Sequence, residues 1–565
     1  MLTTLTAPAF AGTWYIEDGD ITISAGESGN NVTQNENTTK NDPDTIITNR
    51  EEGASSHTVT IDAKDEDDKV EVTLKDVNID ASSRSEAAVS VTGKGDTTIE
   101  LDGDNELKSG AGHAGLEHNK TDTSGELTIQ DDNDNAGSLT ATGGYFGAGI
   151  GGGSAKAGQV TITGGTITAI SGDGAGIGGG QGNMGSNAGN ADIEISGGTI
   201  EATGGYASAG IGGGTWGDAN IKITGDAVIK NATGGVYGSG IGGGGGGNGD
   251  VTISGNAKIE NAQGGITGSG IGGGNGASGT VVIKDDSTVT ATGGEAGAGI
   301  GGGYAGLGDV TIEGNTMVNA TGGVGSAGVG GGYGAENDED GNGSQITIKS
   351  NESGAPNVTA TGGESSIDEE TKEKIPGGAG IGSGAGDAKA DITLEGKVTI
   401  VAKAGEGNAA IGDMNGEQVF TGLDGSITRY DSEGNDTTLP TDPGYPVPAA
   451  PSSSGGGSAD ASVQESVFPG LVVTDKDGQR ISYTSIRGNN VLSLRVGRFT
   501  ASLRASLATL RQLRAEGIDT ITFQTILCST TLSVDKLLAM GDEDAEVVLT
   551  HHIRSSTLTV GGKAV

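Results

Sequence analysis

A short glycine-rich unit recurs through the middle of the chain and limits the possible folds more than any other feature. One copy, residues 297–303, has the sequence Gly-Ala-Gly-Ile-Gly-Gly-Gly. Most successive copies are 27 to 34 residues apart, and one interval is 52 residues long. A period of 20–50 residues indicates a solenoid or an array of repeats. The central apolar residues of the copies are Ile150, Ile177, Ile211, Ile241, Ile271, Ile300, Val329, Ile381 and Ile411.

Each repeat contains three short segments typical of β-strands. In one repeat these are residues 309–314, residues 317–323 and the Gly-Val-Gly segment around Val329. Apolar and polar residues alternate along the first two segments, which is the period of a strand with one buried face. Three strands in about 30 residues predict a right-handed parallel β-helix, in which equivalent residues stack about 4.8 Å apart. A propeller needs four strands per repeat and fits this length less well. The predicted inward residues are Val310, Ile312, Val318, Ala320, Ala327 and Val329.

Glycine makes up 112 of the 565 residues, but the composition is not that of collagen or of a disordered chain. Proline is rare, with 10 residues, and no Gly-X-Y period is present. The regular Ile and Val positions supply the apolar surface that a disordered chain lacks. The glycine pairs of each repeat are expected at bends whose backbone angles a Cβ would not allow.

The formal charge of −42 argues against two classes of partner. Residues 459–565 contain 11 basic and 11 acidic side chains, so the whole net charge falls on the rest of the chain. Such a surface repels nucleic acids and anionic membranes. A single cysteine, Cys528, excludes an intrachain disulfide framework. No apolar run is long enough for a transmembrane helix, so no membrane insertion is expected.

The sequence predicts five regions. Residues 1–11 end in a small-x-small pattern typical of the end of a secretory signal peptide, which predicts a secreted or cell-surface protein. Residues 12–128 contain degenerate coils, with an acidic loop at 35–44, and residues 129–430 form the regular β-helix, for about eleven coils in all. Residues 431–460 are a Pro/Ser/Gly linker. Residues 461–565 are a small α+β domain with a helix over 500–516, capped by Thr500 or Ser502.

Aromatic residues form only 3% of the chain, and several occupy equivalent positions in different repeats. Tyr304 and Tyr333 directly follow the glycine triplet, and Trp216 is one residue further on. Tyr145 and Tyr206 follow the Gly-Gly bend after the second strand, with Tyr237 one residue later. If the rings project from one edge, they form a strip suited to stacking on sugar faces. The alternative is that the rings only cover glycine-lined bends.

Two acidic segments are candidates for binding Ca²⁺, the only cofactor that the sequence suggests. The carboxylates are Asp131, Asp132 and Asp134 in one segment, and Asp338 and Asp340 in the other. Carboxylate oxygens are the ligands that calcium prefers, but neither segment has the spacing of an EF-hand. Solvated acidic loops are the alternative interpretation.

The repeats do not suggest an enzyme. Parallel β-helices include pectate lyases and polygalacturonases, which use a basic residue near Ca²⁺ or clustered aspartates. No arginine occurs between Arg84 and Arg429, and no group of aspartates departs from the repeat pattern. Catalytic sites usually break the local rules of a fold, whereas these coils are monotonous. A non-enzymatic protein is therefore predicted.

The motifs Ala-Gly-Ile-Gly-Gly-Gly, Val-Thr-Ile-x-Gly and Ala-Thr-Gly-Gly resemble those of glycine-rich cell-surface proteins of clostridia and other gut Firmicutes. Part of that set resembles a clostridial carbohydrate-binding β-helix family that has affinity for pectic polysaccharide and binds calcium. The resemblance covers residues 60–412 and implies a polysaccharide, cell-wall or host glycan as the partner. No ligand-binding residue transfers from it. The alternatives are a passive structural stalk or spacer, and a polysaccharide lyase or hydrolase.

Overall fold

The structure is a computed structural model. It describes residues 12–133, 136–183, 189–367, 372–386, 388–420, 423–445 and 471–564, the last range with gaps at 477, 482, 489, 497, 499, 516, 526–527, 542–544 and 553–554. The chain forms two compact units, and the first ends at Tyr445. The first unit is the all-β, right-handed type of parallel β-helix that the repeat predicts, with about 15 turns. The number of turns exceeds the eleven expected from the sequence, because the N-terminal segments with a weak repeat pattern also form complete turns.

Each turn of the β-helix contributes one strand to each of three parallel sheets. In one turn these strands are Gly249–Ile253, Lys258–Gln263 and Ile271–Gly272, and we call their sheets the first, second and third sheet. The long strand Asp96–Lys108 passes through both the first and the second sheet, bending at Gly103. The three sheets therefore enclose one core along the unit.

The strands of the first sheet are Gly12–Tyr15, Thr45–Thr48, Lys69–Lys75, Asp96–Lys108, Leu127–Gln130, Gly158–Ile162, Ala191–Ile195, Ala219–Ile223, Gly249–Ile253, Gly279–Ile283, Gly308–Glu313, Ser344–Lys349 and Ala390–Glu395. Those of the second sheet are Asn78–Asp80, Asp96–Lys108, Gly137–Thr142, Thr166–Ile170, Thr199–Thr203, Val228–Thr233, Lys258–Gln263, Thr288–Thr292, Met317–Thr321, Asn357–Thr361, Lys397–Lys403 and Asp424–Tyr430. Those of the third sheet are Ile21–Ala25, Asn30–Gln34, Asn37–Asp42, Val59–Ala63, Val89–Gly93, Leu116–His118, Ile150–Gly151, Ile177–Gly178, Ile211–Gly212, Ile241–Gly242, Ile271–Gly272, Ile300–Gly301, Val329–Gly330, Ile381–Gly382, Ile411–Asp413 and Gly416–Glu417.

The core consists of identical or similar residues stacked from turn to turn. In the third sheet Ile241 pairs with Ile271, which pairs with Ile300, and all three are fully buried. In the second sheet, Ala residues stack in the same way, as at Ala291 and Ala320. Each fully buried Ile contributes about 1.5–3 kcal/mol relative to an exposed one. The residues predicted to face inward, Val310, Ile312, Val318, Ala320, Ala327 and Val329, are all buried.

An antiparallel hairpin extends the third sheet at the N-terminal end of the β-helix. Strand Ile21–Ala25 pairs with Asn30–Gln34, which pairs with Asn37–Asp42. The loop predicted for residues 35–44 is therefore wrong for most of its length. Strand Asn37–Asp42 replaces it, and only the two-residue turn at Asn35 and Glu36, both with positive φ, and the bend at residues 43–44 lie outside the strands. The carboxylate of Asp42 accepts hydrogen bonds from the backbone N–H of Gly12 and from the indole N–H of Trp14. These bonds connect the hairpin to the first strand.

A buried arginine closes the C-terminal end of the β-helix. The guanidinium of Arg429, fully buried, donates to both oxygens of Asp442 at 2.7 and 2.9 Å and also to Glu417. It donates further to the backbone carbonyls of Ile411 and Gln418. Residues 431–445, assigned to the linker from the sequence, instead belong to the first unit, because Asp442 is the buried partner of Arg429.

The second unit contains two sheets and two helices. One sheet comprises Leu471–Thr474, Ala501–Ser506, Glu546–His551, Ser556–Val560 and Lys563–Ala564, and the other comprises Thr484–Gly488, Val491–Arg495, Thr520–Gln524 and Ser529–Ser533. The helices are Leu507–Ala515 and Val534–Leu538. In the part of the chain that the structure describes, no helix is long and apolar enough to cross a membrane.

The helix predicted over residues 500–516 is half wrong. Residues Ala501–Ser506 form a strand that pairs with two neighbours, and the helix starts only at Leu507. Buried Ala501, Leu503 and Ala505 alternate with more exposed residues, whereas Leu507, Leu510 and Leu513 follow the helical period. The capping side chain is Ser506, which accepts a hydrogen bond from the N–H of Thr509, so the predicted caps are also wrong.

We predict that replacing Gly272 by alanine destabilises the β-helix by about 3 kcal/mol or more. Gly272 has φ of +128°, and a Cβ there would lie 2.1 Å from the carbonyl oxygen of Gly301 in the next turn. Gly276 in the same turn is the matched control, because it also has positive φ but no atom within 4 Å of an added Cβ. Thermal unfolding followed by circular dichroism measures both variants. Equal losses in Gly272→Ala and Gly276→Ala would contradict the close approach of the turns.

We predict that Arg429→Met lowers the free energy of unfolding by about 3–5 kcal/mol, because it leaves the carboxylate of Asp442 buried without a cationic partner. Lys258→Met is the control. It removes an exposed ion pair with Glu260 and should cost less than about 1 kcal/mol. Denaturant titration measures both variants, and hydrogen exchange should show the C-terminal turns opening first in Arg429→Met. Equal stability of the two variants would contradict a role for Arg429 as a cap.

Candidate functional site

Two kinds of bend lie side by side along one edge of the β-helix. One is the Gly-Gly bend after the second strand, and the other is the loop that follows the glycine triplet of the third sheet, which we call the triplet loop. Asn275 in a triplet loop donates its N–H to the carbonyl of Tyr237 in the Gly-Gly bend of the preceding turn, at 2.8 Å. Gly245 bonds to Ala207, and Tyr304 to Thr267, in the same way. The two sets of aromatic residues predicted from the sequence therefore share an edge.

Four of the six predicted aromatic residues line one open groove on this edge. The groove has a volume of about 610 Å³. It is lined by Tyr145, Asp173, Gln181, Tyr206, Ala207, Thr215, Trp216, Tyr237, Gly245 and Asn275. Its walls therefore combine aromatic rings with short polar side chains. This composition is typical of sites that hold a small, amphipathic ligand.

Three of the tyrosines that line the groove take part in two ring pairs. The rings of Tyr206 and Tyr237, from successive turns, meet edge to face with centroids 5.2 Å apart. The hydroxyl of Tyr206 donates to the hydroxyl of Tyr237 at 3.4 Å, and this hydrogen bond raises the pKa of Tyr206. Tyr145 packs against the ring of Phe146 at 4.1 Å. Tyr145 and Tyr206 nevertheless leave 59% and 58% of their surface exposed, so both rings are available to a ligand.

Trp216 occupies a position at which the next two turns have glycine. Its φ is +61°, in the left-handed region, and the equivalent residues are Gly246 and Gly276 with φ of +84° and +71°. The left-handed conformation costs a residue with a Cβ about 1–2 kcal/mol relative to glycine. A Cβ at Gly246 would lie only 2.2 Å from Cε3 of Trp216, so the indole rests directly on glycine backbone. A bulky residue held in such a conformation is more often found at functional sites than elsewhere.

The other two predicted tyrosines form a separate pair further along the chain. The rings of Tyr304 and Tyr333 lie 5.8 Å apart and neither lines the groove. A Cβ at Gly325 would lie 3.0 Å from Cδ2 of Tyr333 and 3.3 Å from Cγ2 of Ile375. The inserted hairpin of Ser366–Ile367 and Lys374–Ile375 therefore lies beside this pair.

The polar residues of the groove were not identified from the sequence. Gln181, Thr215 and Asn275 occupy the position directly after the glycine triplet, which Tyr304 and Tyr333 occupy in later turns. That equivalence was the signal that could have revealed them. Asp173 supplies the only charged side chain of the lining, and its carboxylate takes part in no hydrogen bond or ion pair within the described residues. The groove thus offers one carboxylate, two amides and several hydroxyls to a ligand.

The described members of the two predicted calcium-binding segments lie in two separate loops. Asp131 uses one carboxylate oxygen to accept the N–H of Gly137. Asp338 accepts from the backbone of Asp340 and from the backbone and side chain of Asn342, within its own loop. Asp132 is exposed, and Asp134 lies outside the described residues. Among the described residues, no group of three or more His, Cys, Asp or Glu side chains has an arrangement that holds a metal ion.

Comparisons with known proteins agree with the fold. A family model described as a β-helix repeat matches residues 135–154, 160–181, 193–215 and 281–304. Neither a curated protein nor a solved structure matches the chain significantly. The chain is therefore similar to β-helix repeat proteins over four segments, which include Tyr145, Asp173 and Tyr206 of the groove but not Trp216 or Tyr237.

We predict that Tyr237→Phe lowers the pKa of Tyr206 toward its ordinary value, because it removes the hydrogen-bond partner of that phenol. The raised pKa means that the contact is present at neutral pH and is lost only as the pH rises through the pKa of Tyr206. Carbon-13 NMR of the tyrosine Cζ atoms across alkaline pH measures this value. Tyr145→Phe, which leaves the pair intact, is the control. An unchanged titration of Tyr206 in Tyr237→Phe would contradict the contact.

Proposed function

We propose that the protein is a non-catalytic polysaccharide-binding protein of the cell surface or the extracellular medium. The aromatic groove is its binding site. The observation that carries the proposal is the position of Trp216, a strained and exposed indole that lies on glycine backbone beside Tyr206 and Tyr237. Maintaining this arrangement costs stability, and a ligand that stacks on the rings accounts for it.

The groove has the two kinds of surface that a sugar chain presents. One face of a pyranose ring consists of C–H groups, which pack on aromatic rings, while its hydroxyls need hydrogen-bond partners. Trp216, Tyr206 and Tyr145 supply the flat apolar surfaces. Asp173, Gln181 and Asn275 supply acceptors and donors at the rim. An open groove along a repetitive edge also suits a polymer, because successive turns offer similar surfaces to successive sugars.

The composition of the groove supports binding rather than hydrolysis. Most glycoside hydrolases act with a pair of carboxylates that flank the scissile bond. The described residues that line the groove include one carboxylate, Asp173, and no lysine, arginine or histidine. Residues 184–188, which follow Gln181 closely in the chain, are Met-Gly-Ser-Asn-Ala and add no ionisable side chain. A single carboxylate can orient a hydroxyl without acting on a glycosidic bond.

We predict that Trp216→Gly lowers the affinity for the bound glycan at least 10-fold without lowering the melting temperature. A 10-fold loss corresponds to about 1.4 kcal/mol, which is within the range for an aromatic side chain that a bound ligand covers. Glycine is the natural residue of this position in the next two turns, so the fold accepts it. Ala305→Gly is the matched control, because Ala305 has the same position in its turn and φ of +56° but no ring. It should leave binding unchanged.

A glycan array followed by isothermal titration with the best ligand tests the prediction, each in Ca²⁺ and in EDTA. The calcium arm matters because the resemblance to calcium-binding β-helix proteins makes Ca²⁺ a possible requirement for binding. A flat array under both conditions would contradict the proposal and favour a passive stalk, which the capped and monotonous coils would also suit. Binding that survives Trp216→Gly would place the ligand elsewhere.

A further inference from the structure

We propose that the aromatic groove selects uncharged polysaccharides and rejects polyuronates such as pectate. This inference rests on the proposed function and specifies its ligand. It departs from the pectic ligand that the sequence resemblance implies. The groove itself, with Asp173 as the only charged residue among its described lining residues, is the observation that carries it.

A polyuronate has one carboxylate on each sugar, and each must be paired or remain hydrated when the chain binds. Removing an anion from water without a compensating cation is costly. Proteins that recognise carboxylates usually supply arginine or lysine for this purpose. The part of the lining that the structure describes contains neither arginine nor lysine, and its other polar side chains are the amides of Gln181 and Asn275 and the hydroxyls of Thr215 and the tyrosines.

The turns around the groove do not supply the missing positive charge. Arginine is absent from residues 85–428. The lysines Lys222, Lys230 and Lys258 lie in first-sheet and second-sheet strands and do not line the groove, and Lys258 is paired with Glu260. Lys156 lies in the triplet loop one turn before Gln181 but does not line the groove. A polyuronate would therefore meet Asp173 without a cation among the lining residues.

The carboxylate of Asp173 would also repel the carboxylates of a bound polyuronate, which already lack a cationic partner among the described lining residues. It has no hydrogen-bond or ion-pair partner in the described part of the chain, so its charge is not neutralised by a neighbour. A sugar hydroxyl can donate a hydrogen bond to it, and this bond to a charged acceptor is stronger than one between neutral groups. A uronate can offer only its hydroxyls, while its own carboxylate faces a like charge. The same residue thus favours neutral sugars and disfavours acidic ones.

Pairs of polymers that share a backbone, one neutral and one carrying carboxylates, test the inference on the full chain. Fully methyl-esterified galacturonan is compared with the de-esterified polymer, and hydroxyethyl cellulose with carboxymethyl cellulose, by affinity electrophoresis and titration in EDTA at about 20 mM salt. We expect each neutral polymer that binds to do so at least 10-fold more tightly than its charged partner. The difference should narrow at about 500 mM salt, because screening weakens repulsion between charges near the surface.

Asp173→Asn should increase the affinity for the charged polymers at least 3-fold at low salt and leave the neutral polymers within about 3-fold. Asp250→Asn, an exposed carboxylate on the first sheet, is the control and should change neither. Equal or tighter binding of the charged partner in EDTA would overturn the inference while leaving the proposed function intact. So would an array on which only acidic glycans bind. An array on which nothing binds would overturn both.

Discussion

The close approach of backbone to backbone in the third sheet is the constraint on which the first unit depends. An added Cβ at Gly272 would lie 2.1 Å from a carbonyl of the next turn, and equivalent glycines of the sheet have the same positive φ. No side chain fits between successive turns at these glycines. In the regular turns each strand of this sheet is two residues long. The chain then reverses within a few residues and returns to the first sheet. The glycine content is thus a requirement of the short turn, whereas the Ile, Val and Ala ladders provide the stabilising burial.

The ends of the β-helix need different chemistry from its middle, because the last ladder has no next turn to cover it. At the N-terminal end an antiparallel hairpin and the Trp14–Asp42 hydrogen bond cover the first turns. At the C-terminal end Arg429 lies buried between two carboxylates. Terminal repeats of solenoids commonly differ from the consensus in this way. Buried or part-buried polar contacts therefore close both ends of the repeat.

Most of the fold could be predicted from the sequence, because residues that stack in one ladder recur in the sequence at a regular spacing. The predictions fail where the apolar spacing fits both a strand and a helix, or where a residue contacts another that is far away in the sequence. Leu503 fits both the alternation of its strand with Ala501 and Ala505 and the helical spacing to Leu507, and the strand pairing decides between them. The role of Asp442 depends on Arg429, thirteen residues away, which no local pattern reveals. In the groove, the aromatic residues stood out because they are rare, but Asp173, Gln181 and Asn275 did not, since polar residues are common in loops.

The triplet loop that carries Trp216 has a consequence for how such a protein can change. The loop position with left-handed backbone angles is occupied by Trp, Gly or Ala in different turns. The buried ladders of the same turns keep identical or similar apolar residues. The residues that contact a ligand can therefore change independently of the buried ladders. Exchanging one residue adds or removes an aromatic ring at a given turn. Evolution of a protein with this scaffold can change its ligand preference one turn at a time. Duplication of a turn extends the binding surface without altering the core.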